Sequence, residues 1–196
     1  IEFGKKKEDF SPSEIFQFIS KRKKKIKIMN EKEYNSDKNL KSYLDILLGA
    51  ERRVLFFSGN LTFSKRSYHD KTIREVLEDL GRKRISSKIL TRIELAGIEN
   101  IQNILSINMR LGFKAVEVRH CYQPLRATVV DNKVALLKEV FDPKNYAKDE
   151  LKEKTYVHYY IYDEEWIEWL EKVFWHLFRG SVDAEKRMKE LKLVFT

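Results

Sequence analysis

Val116-Glu117-Val118-Arg119-His120, a short loop, then Pro124-Leu125-Arg126-Ala127-Thr128-Val129-Val130-Asp131 is the stretch on which the fold turns. Val116 and Val118 alternate with Glu117 and Arg119, the period of a strand with one buried face. Residues 125–130 form a second strand. Asp131-Asn132-Lys133 then turns the chain into a third, residues 134–140, a compact hairpin signal. On the N-terminal side the elements alternate. A helix carries Leu40, Tyr43, Leu44, Leu47 and Leu48, with Asp37 or Asn39 as its cap, and the buried strand 53–57 follows. A helix over 72–80, capped by Asp70, leads to a strand over 86–93 and a helix over 98–111 that ends at Gly112. Helix and strand in strict alternation imply a largely parallel sheet with helices packed against it. The hairpin breaks that rhythm and makes the sheet mixed.

Further out, a charged segment over 142–154 precedes a strand at 156–162. A helix over 164–179 follows, with Asp163 as its cap, acids in its first turn and Gly180 at its end. Its expected core stripe is Trp166, Trp169, Leu170, Val173, Phe174 and Leu177. At 100° per residue Trp175 lies opposite Trp166, so it is a candidate for a subunit interface or for contact with a last helix over 183–191. At the other end, Ser11-Pro12-Ser13-Glu14 starts a short helix bearing Ile15, Phe16, Phe18 and Ile19. The run Lys21-Arg22-Lys23-Lys24-Lys25 follows and is read either as a solvated face or as a phosphate- or nucleic-acid-binding patch. Residues 26–29 form a short strand. The expected division is a basic N-terminal segment (1–36), an α/β domain (37–180) and a helical tail (181–196).

Composition narrows the class. Aromatics are plentiful, with only 7 Gly and 3 Pro in 196 residues, which excludes general disorder and disfavours a many-turned all-β fold. The single Cys121 excludes an internal disulfide and a cysteine-based zinc site. No spacing among the four histidines resembles a metal triad, and there is no Walker-type or dinucleotide-type glycine motif, so neither metal nor cofactor is expected. No apolar run reaches the length of a membrane span and no signal-type core follows the N-terminus, which makes a cytoplasmic location the expectation. The net charge of +9, from 39 Lys+Arg against 30 Asp+Glu, fits nucleic-acid or phosphate partners and fits a Lys/Glu-rich thermophile surface equally well. Ser58, Asn60, Thr62, Ser64, Lys65 and Arg66 make a polar, basic loop after a buried strand, where ligands bind in open α/β sheets.

The segment from Pro124 to Asp131 resembles the signature of the phospholipase D-like superfamily, His-x-Lys-x4-Asp at the start of a strand hairpin. Setting Asp131 on the motif's aspartate puts Arg126 at the lysine position and Pro124 at the histidine position. The resemblance spans roughly residues 38–179. It implies a phospholipase D-like α/β fold, a mixed sheet flanked by helices, with the basic N-terminal segment and C-terminal helices appended. In that family the histidine attacks a phosphodiester and the lysine neutralises the transferring phosphoryl group. Proline cannot attack, whereas arginine can still hold a phosphate, and bidentately. The family's downstream Gly-Ser pair falls near Lys138-Glu139 and is absent too.

These departures set the expected functions. The first is a non-catalytic phospholipase D-like domain that binds an anionic small molecule or nucleic acid through Arg126, Asp131, Lys133, Arg119, His120, Ser58 and Asn60. It resembles the ligand-sensing, dimerising part of archaeal transcription regulators of the TrmB kind. The chain begins at Ile1 rather than Met, so an upstream DNA-binding segment is one expectation. The second is a divergent homodimeric phosphodiesterase or nuclease, with His120 as the nearest substitute histidine. The third is a scaffold or dimerisation module built on the Trp-rich helix. A homodimer is expected throughout.

Overall fold

Local signals place most elements. The computed structural model describes residues 11–69 and 71–194. In chain order these form α1 (Pro12–Phe16), β1 (Lys24–Met29), α2 (Glu31–Tyr34), α3 (Asp37–Leu48) and β2 (Arg53–Phe57). Two-residue strands β3 (Ser67–Tyr68) and β4 (Lys71–Thr72) come next, then α4 (Ile73–Arg82), β5 (Ser86–Thr91), α5 (Ile98–Leu111) and β6 (Val116–His120). The chain ends with β7 (Ala127–Val130), β8 (Val134–Phe141), β9 (Thr155–Ile161), α6 (Glu164–Arg179), β10 (Val182–Asp183) and α7 (Ala184–Val194).

Helix starts are set by side chains that satisfy orphan backbone donors. Ser36, rather than the expected Asp37 or Asn39, caps α3 by accepting from Asn39 N. Thr72 caps α4 in a reciprocal box with Glu75, whereas Asp70, the expected cap, lies outside the described residues. Asp163 caps α6 as expected. Gly112 ends α5 at φ +71°, a left-handed conformation glycine adopts without a Cβ penalty.

Eight strands form one mixed sheet in the order β1-β9-β8-β7-β2-β5-β6-β10. Strands β2, β5 and β6 run parallel, while β7, β8, β9 and β1 join antiparallel on one side and β10 on the other. Sequence reading sets residues 1–36 and 181–196 apart from the α/β unit. The sheet takes an edge strand from each, β1 from the first and β10 from the second.

Strand alternation divides the core between two faces. One face packs Val54, Phe56, Ile89 and Val118 beneath α3, α4 and α5; the other packs Leu55, Phe57, Val129 and Leu137 beneath α1 and α6. The buried stripe of α6 is Ile167, Leu170, Phe174 and Phe178, rotated from the expected one. Trp169 is left 43% exposed. The rotation gives Trp175 neighbours within the chain. It meets Phe174 and Phe178 edge-on, at centroid distances of 5.4 and 5.6 Å, and the Arg53 guanidinium lies 5.9 Å from its ring. Trp175 is half-buried by these contacts. Among the described residues no helix is long and apolar enough to cross a membrane.

Candidate anion-binding site

Pairing between strands assembles the site. Lys138 sits opposite His158 in the β8–β9 ladder, and His158 sits opposite Lys27 in the β9–β1 ladder. One step beyond β7, Arg126 continues the same row, since Lys138 N donates to Arg126 O at 2.7 Å. Residues paired in register share a face of the sheet. Arg126, Lys138, His158 and Lys27 thus form a line of basic side chains across four neighbouring segments, on the face that carries α3.

Most of this line opens into a cavity of about 450 Å³ beyond the C-terminal end of β2. Arg66, Arg126, Lys138, Lys144 and Lys154 contribute five cations to its lining, and Asp142 is the one carboxylate among the described lining residues. Asp142 is itself 3.9 Å from Lys154. Tyr34 is the scaffold for two of the cations. Its carbonyl accepts from Arg66 at 2.8 Å and its hydroxyl from Lys138 Nζ at 3.0 Å, while its ring stacks on Tyr156 at 3.9 Å. The Arg66 guanidinium lies 4.3 Å from the same ring, within cation–π range.

Arg126 is different. Among the described residues its guanidinium has no hydrogen-bond or ion-pair partner. Burial lowers its pKa, and the one charge that adds to the effect is the like-charged Arg92. The planar group lies across Gly59, where a Cβ would overlap it. The turn beneath is held firmly: Ser58 N donates to Leu90 O, and Gly59 O accepts from Arg92 N and Thr91 Oγ1. Glycine at 59 is therefore what lets a guanidinium lie flat against the floor of the cavity. The obstruction in Gly59→Ala falls on the flexible end of a side chain, so the variant is expected to keep its melting temperature within a few degrees. Its affinity for inorganic phosphate, read by titration calorimetry, is expected to fall about tenfold or more, the value of one displaced charge-assisted hydrogen bond.

His158 is 5% exposed and lines the same cavity, with a buried Nδ1 that has no partner among the described residues. Burial, and then the fields of Lys138, Lys27 and Arg66, push its pKa down to about 3. It is a neutral imidazole at neutral pH.

Of the residues singled out from sequence, Arg126, Ser58, Asn60, Thr62 and Arg66 meet at this cavity. Asp131, Lys133, Arg119 and His120 do not. Asp131 closes the β7–β8 turn at the far end of the hairpin, and its carboxylate accepts from the backbone N–H groups of Glu51, Arg52 and Arg53 at 2.7–3.0 Å. It ties the turn to the start of β2, and both of its oxygens accept backbone amides there. Lys133, in the same turn, pairs with Glu51 at 2.6 Å. Arg119 is held by Glu117 at 3.1 Å and by the carbonyls of Phe178 and Ser181. Nδ1 of His120 accepts from Ile93 N at 3.0 Å, a structural bond at the end of β6. Within the basic run, Lys23 pairs with Asp163, Lys24 donates to Phe16 O, and none of Lys21, Arg22, Lys23, Lys24 or Lys25 lines the cavity. Among the described residues there is no group of three or more His, Cys, Asp or Glu able to hold a metal ion.

Sequence reasoning missed Tyr34, Lys138 and His158 as a group. They come from three separate elements, and only the strand register shows that they converge. Gly59 carried a readable signal: a glycine directly after a buried strand, within a polar turn.

No family model matches the sequence, and neither does any curated protein. Solved structures do match in shape. NucT from Helicobacter pylori aligns with a TM-score of 0.55 at 14% identity, covering 82% of this chain and 99% of its own. Nuc from Salmonella typhimurium, a phospholipase D family member, aligns with a TM-score of 0.55 at 14% identity over 82% and 98%. TrmBL2, an archaeal chromatin protein, aligns with a TM-score of 0.53 at 12% identity; the match covers 88% of this chain and 58% of TrmBL2. With the mixed sheet, the hairpin and the cavity beside it, these likenesses establish that the chain has the phospholipase D-like fold.

Proposed function

We propose that this chain is a binding domain on a phospholipase D-like scaffold whose cavity takes a phosphate-bearing ligand without cleaving it. The observation that carries the reading is the Arg126 guanidinium, partly buried, unpaired among the described residues and spread over Gly59. Leaving a desolvated cation without a counter-charge is unfavourable, and an incoming anion relieves it. A planar fork of donors suits a phosphate's oxygens. The surrounding surplus of five cations over one carboxylate adds to the same preference. Pro124 occupies the position at which the family's attacking histidine would stand, and it offers no nucleophile.

TrmBL2 is described as binding DNA. Nucleic acid is accordingly one source of the phosphate, and a phosphorylated small molecule is the other. Joined to a DNA-binding unit, such a domain would serve as the sensor of a regulator.

The test is titration calorimetry with inorganic phosphate, with Arg126→Ala as the control. Loss of the guanidinium is expected to weaken binding by about tenfold to a hundredfold, the range of one or two hydrogen bonds to a charged group. Binding that survives the substitution unchanged would remove Arg126 from the site. Turnover of an activated phosphodiester such as bis(4-nitrophenyl) phosphate would overturn the non-cleaving reading.

A further inference from the structure

His158 is a buried histidine surrounded by positive charge, with no acid to compensate it among the groups that face it. Lys138 stands beside it on β8 and Lys27 on β1, while Arg66 reaches it from the loop after β2. Tyr34 of α2 and Tyr160 of its own strand meet the ring edge-on at 5.8 and 6.1 Å. From α3, Asn39 takes the Lys27 ammonium at 2.8 Å; burial, Lys38 of α3 and Lys25 of β1 lower the pKa of that lysine, and Glu33 of α2 opposes them. The buried Nδ1 has no partner among the described residues. Burial, and then the unbalanced cations next to it, keep this imidazole neutral, and an anion that balances those cations removes the second of the two causes.

We infer that the cavity selects a phosphate group carrying two negative charges, a terminal monoester rather than an internal diester, and that His158 takes up a proton when that group binds. The inference rests on the reading of the cavity as an anion site. Its physical basis is the number of charges delivered. A unit charge about 6 Å away, at an effective dielectric constant near 20, changes the proton affinity of a histidine by about a hundredfold. A diester brings one charge and a dianionic monoester two, so the effects are about a hundredfold and about ten-thousandfold. Starting from a histidine held at about 3, at pH 6 the diester leaves His158 roughly one-tenth protonated and the dianion leaves it roughly nine-tenths protonated. The positive imidazolium then becomes a further contact for the dianion. The selection operates on the acid side of neutrality and fades at pH 8, where even the dianion no longer holds the proton.

Two simple anions separate these cases without titrating themselves. Sulfate keeps two charges from pH 6 to 8, and dimethyl phosphate keeps one. Calorimetry at pH 6 in two buffers of different ionisation enthalpy counts the protons taken up. Sulfate is expected to bring in close to one proton, and dimethyl phosphate about a tenth of one. Between pH 8 and pH 6 sulfate affinity is expected to rise about tenfold, and dimethyl phosphate affinity to stay level. In His158→Gln both the proton uptake and the pH dependence should vanish while sulfate still binds. The imidazole nitrogen shifts of His158 in the unsubstituted protein, with and without sulfate at pH 6, report the same protonation with no substitution at all. Sulfate binding without proton uptake, or uptake that persists in His158→Gln, would overturn the inference and leave the anion site standing. If neither anion binds, or if both survive Arg126→Ala unchanged, the anion site fails and the inference falls with it. Glycerol 3-phosphate and a 5′-phosphorylated oligonucleotide, compared at pH 6.5, tell whether the terminal phosphate comes from a small molecule or from a strand end. An unphosphorylated oligonucleotide that competes equally with its 5′-phosphorylated form would refute monoester selection.

Discussion

Replacing Asp131 with alanine is expected to destabilise the domain by about 3–5 kcal/mol, with little change in its affinity for phosphate. The carboxylate is 2% exposed and takes three backbone N–H groups in succession, those of Glu51, Arg52 and Arg53. These donors open the strand at the centre of the sheet, so they have no ladder partners of their own to fall back on. Burial alone would raise the pKa of Asp131, but the three amides outweigh it and the group is held below the ordinary aspartate value. Each bond from a neutral donor to a charged acceptor is worth about 1.5–3 kcal/mol. Partial access of water to this end of the sheet keeps the sum below the full additive value. For a domain of this size the loss corresponds to a fall in melting temperature of about 10 °C or more. Asp131→Asn, which keeps one carbonyl oxygen, should fall between the two. Urea denaturation of the three proteins, alongside phosphate titration of the folded ones, is the check. A drop in phosphate affinity at full folding would put Asp131 in the binding site after all. Arg126→Ala is the mirror image: it should alter binding and leave stability nearly untouched. Arg126 and Asp131 belong to one sequence motif and sit at opposite ends of one hairpin, so the two variants divide that motif into a part that binds and a part that holds the sheet.

That division bears on how much was readable in advance. The alternation of Val116 and Val118 with polar neighbours, the apolar run 53–57 and the turn at 131–133 each have one physical reading, and the observed strands begin and end within a few residues of it. Helix faces were less secure. In α6 the three tryptophans dominate any hydrophobic average, but a ring as large as indole can lie partly exposed at the rim of a stripe. The smaller Ile167 and Phe178 turned inward instead, and the stripe is rotated accordingly. Within the site, Arg126 was legible through the resemblance, which sets it at the lysine position of the phospholipase D-like signature. Lys138 and His158 were not, because they are joined only by the register between β8 and β9 across the charged connection at 142–154. Nothing local in the sequence sets that register. Tyr34 lies on the four-residue helix α2, too short to show a periodicity. Arg119 and Lys133 were read as binding residues on charge and proximity in sequence alone. Their carboxylate partners, Glu117 and Glu51, already neutralise them in the fold.

His158 should also make the protein unstable in mild acid, over a pH range it shares only with the more weakly shifted His120 among the histidines with a lowered pKa. Its pKa is near 6.5 in the unfolded chain and about 3 in the fold. Between those values the unfolded chain binds the additional proton, so stability rises with pH and is lost as pH falls from 6.5 toward 3. At 1.36 kcal/mol per pH unit, the loss by pH 3 reaches about 4 kcal/mol. The carboxylates act elsewhere. Burial opposes the ionisation of Glu117, but hydrogen bonds and charge from Lys88, Arg119 and Lys114 outweigh it and pull its pKa down to about 2. Like Asp131, it contributes stability above its unfolded-state pKa that disappears only as pH drops through the lower folded value. The interval from pH 6.5 to about 4 therefore reports the histidines: His158 above all, with a smaller share from His120, whose pKa burial also lowers. In urea titrations across that interval, the free energy of unfolding is expected to fall steadily for the unsubstituted protein and much less steeply for His158→Gln, in which only the smaller effect of His120 remains. An unchanged slope in the variant would assign the acid sensitivity to another group. Sulfate should also flatten the slope in the unsubstituted protein, because a dianion beside Lys138 lets the folded state take the proton that otherwise only the unfolded chain can bind. The charge balance that governs stability in acid is the one on which the choice of ligand depends, and the two measurements must agree.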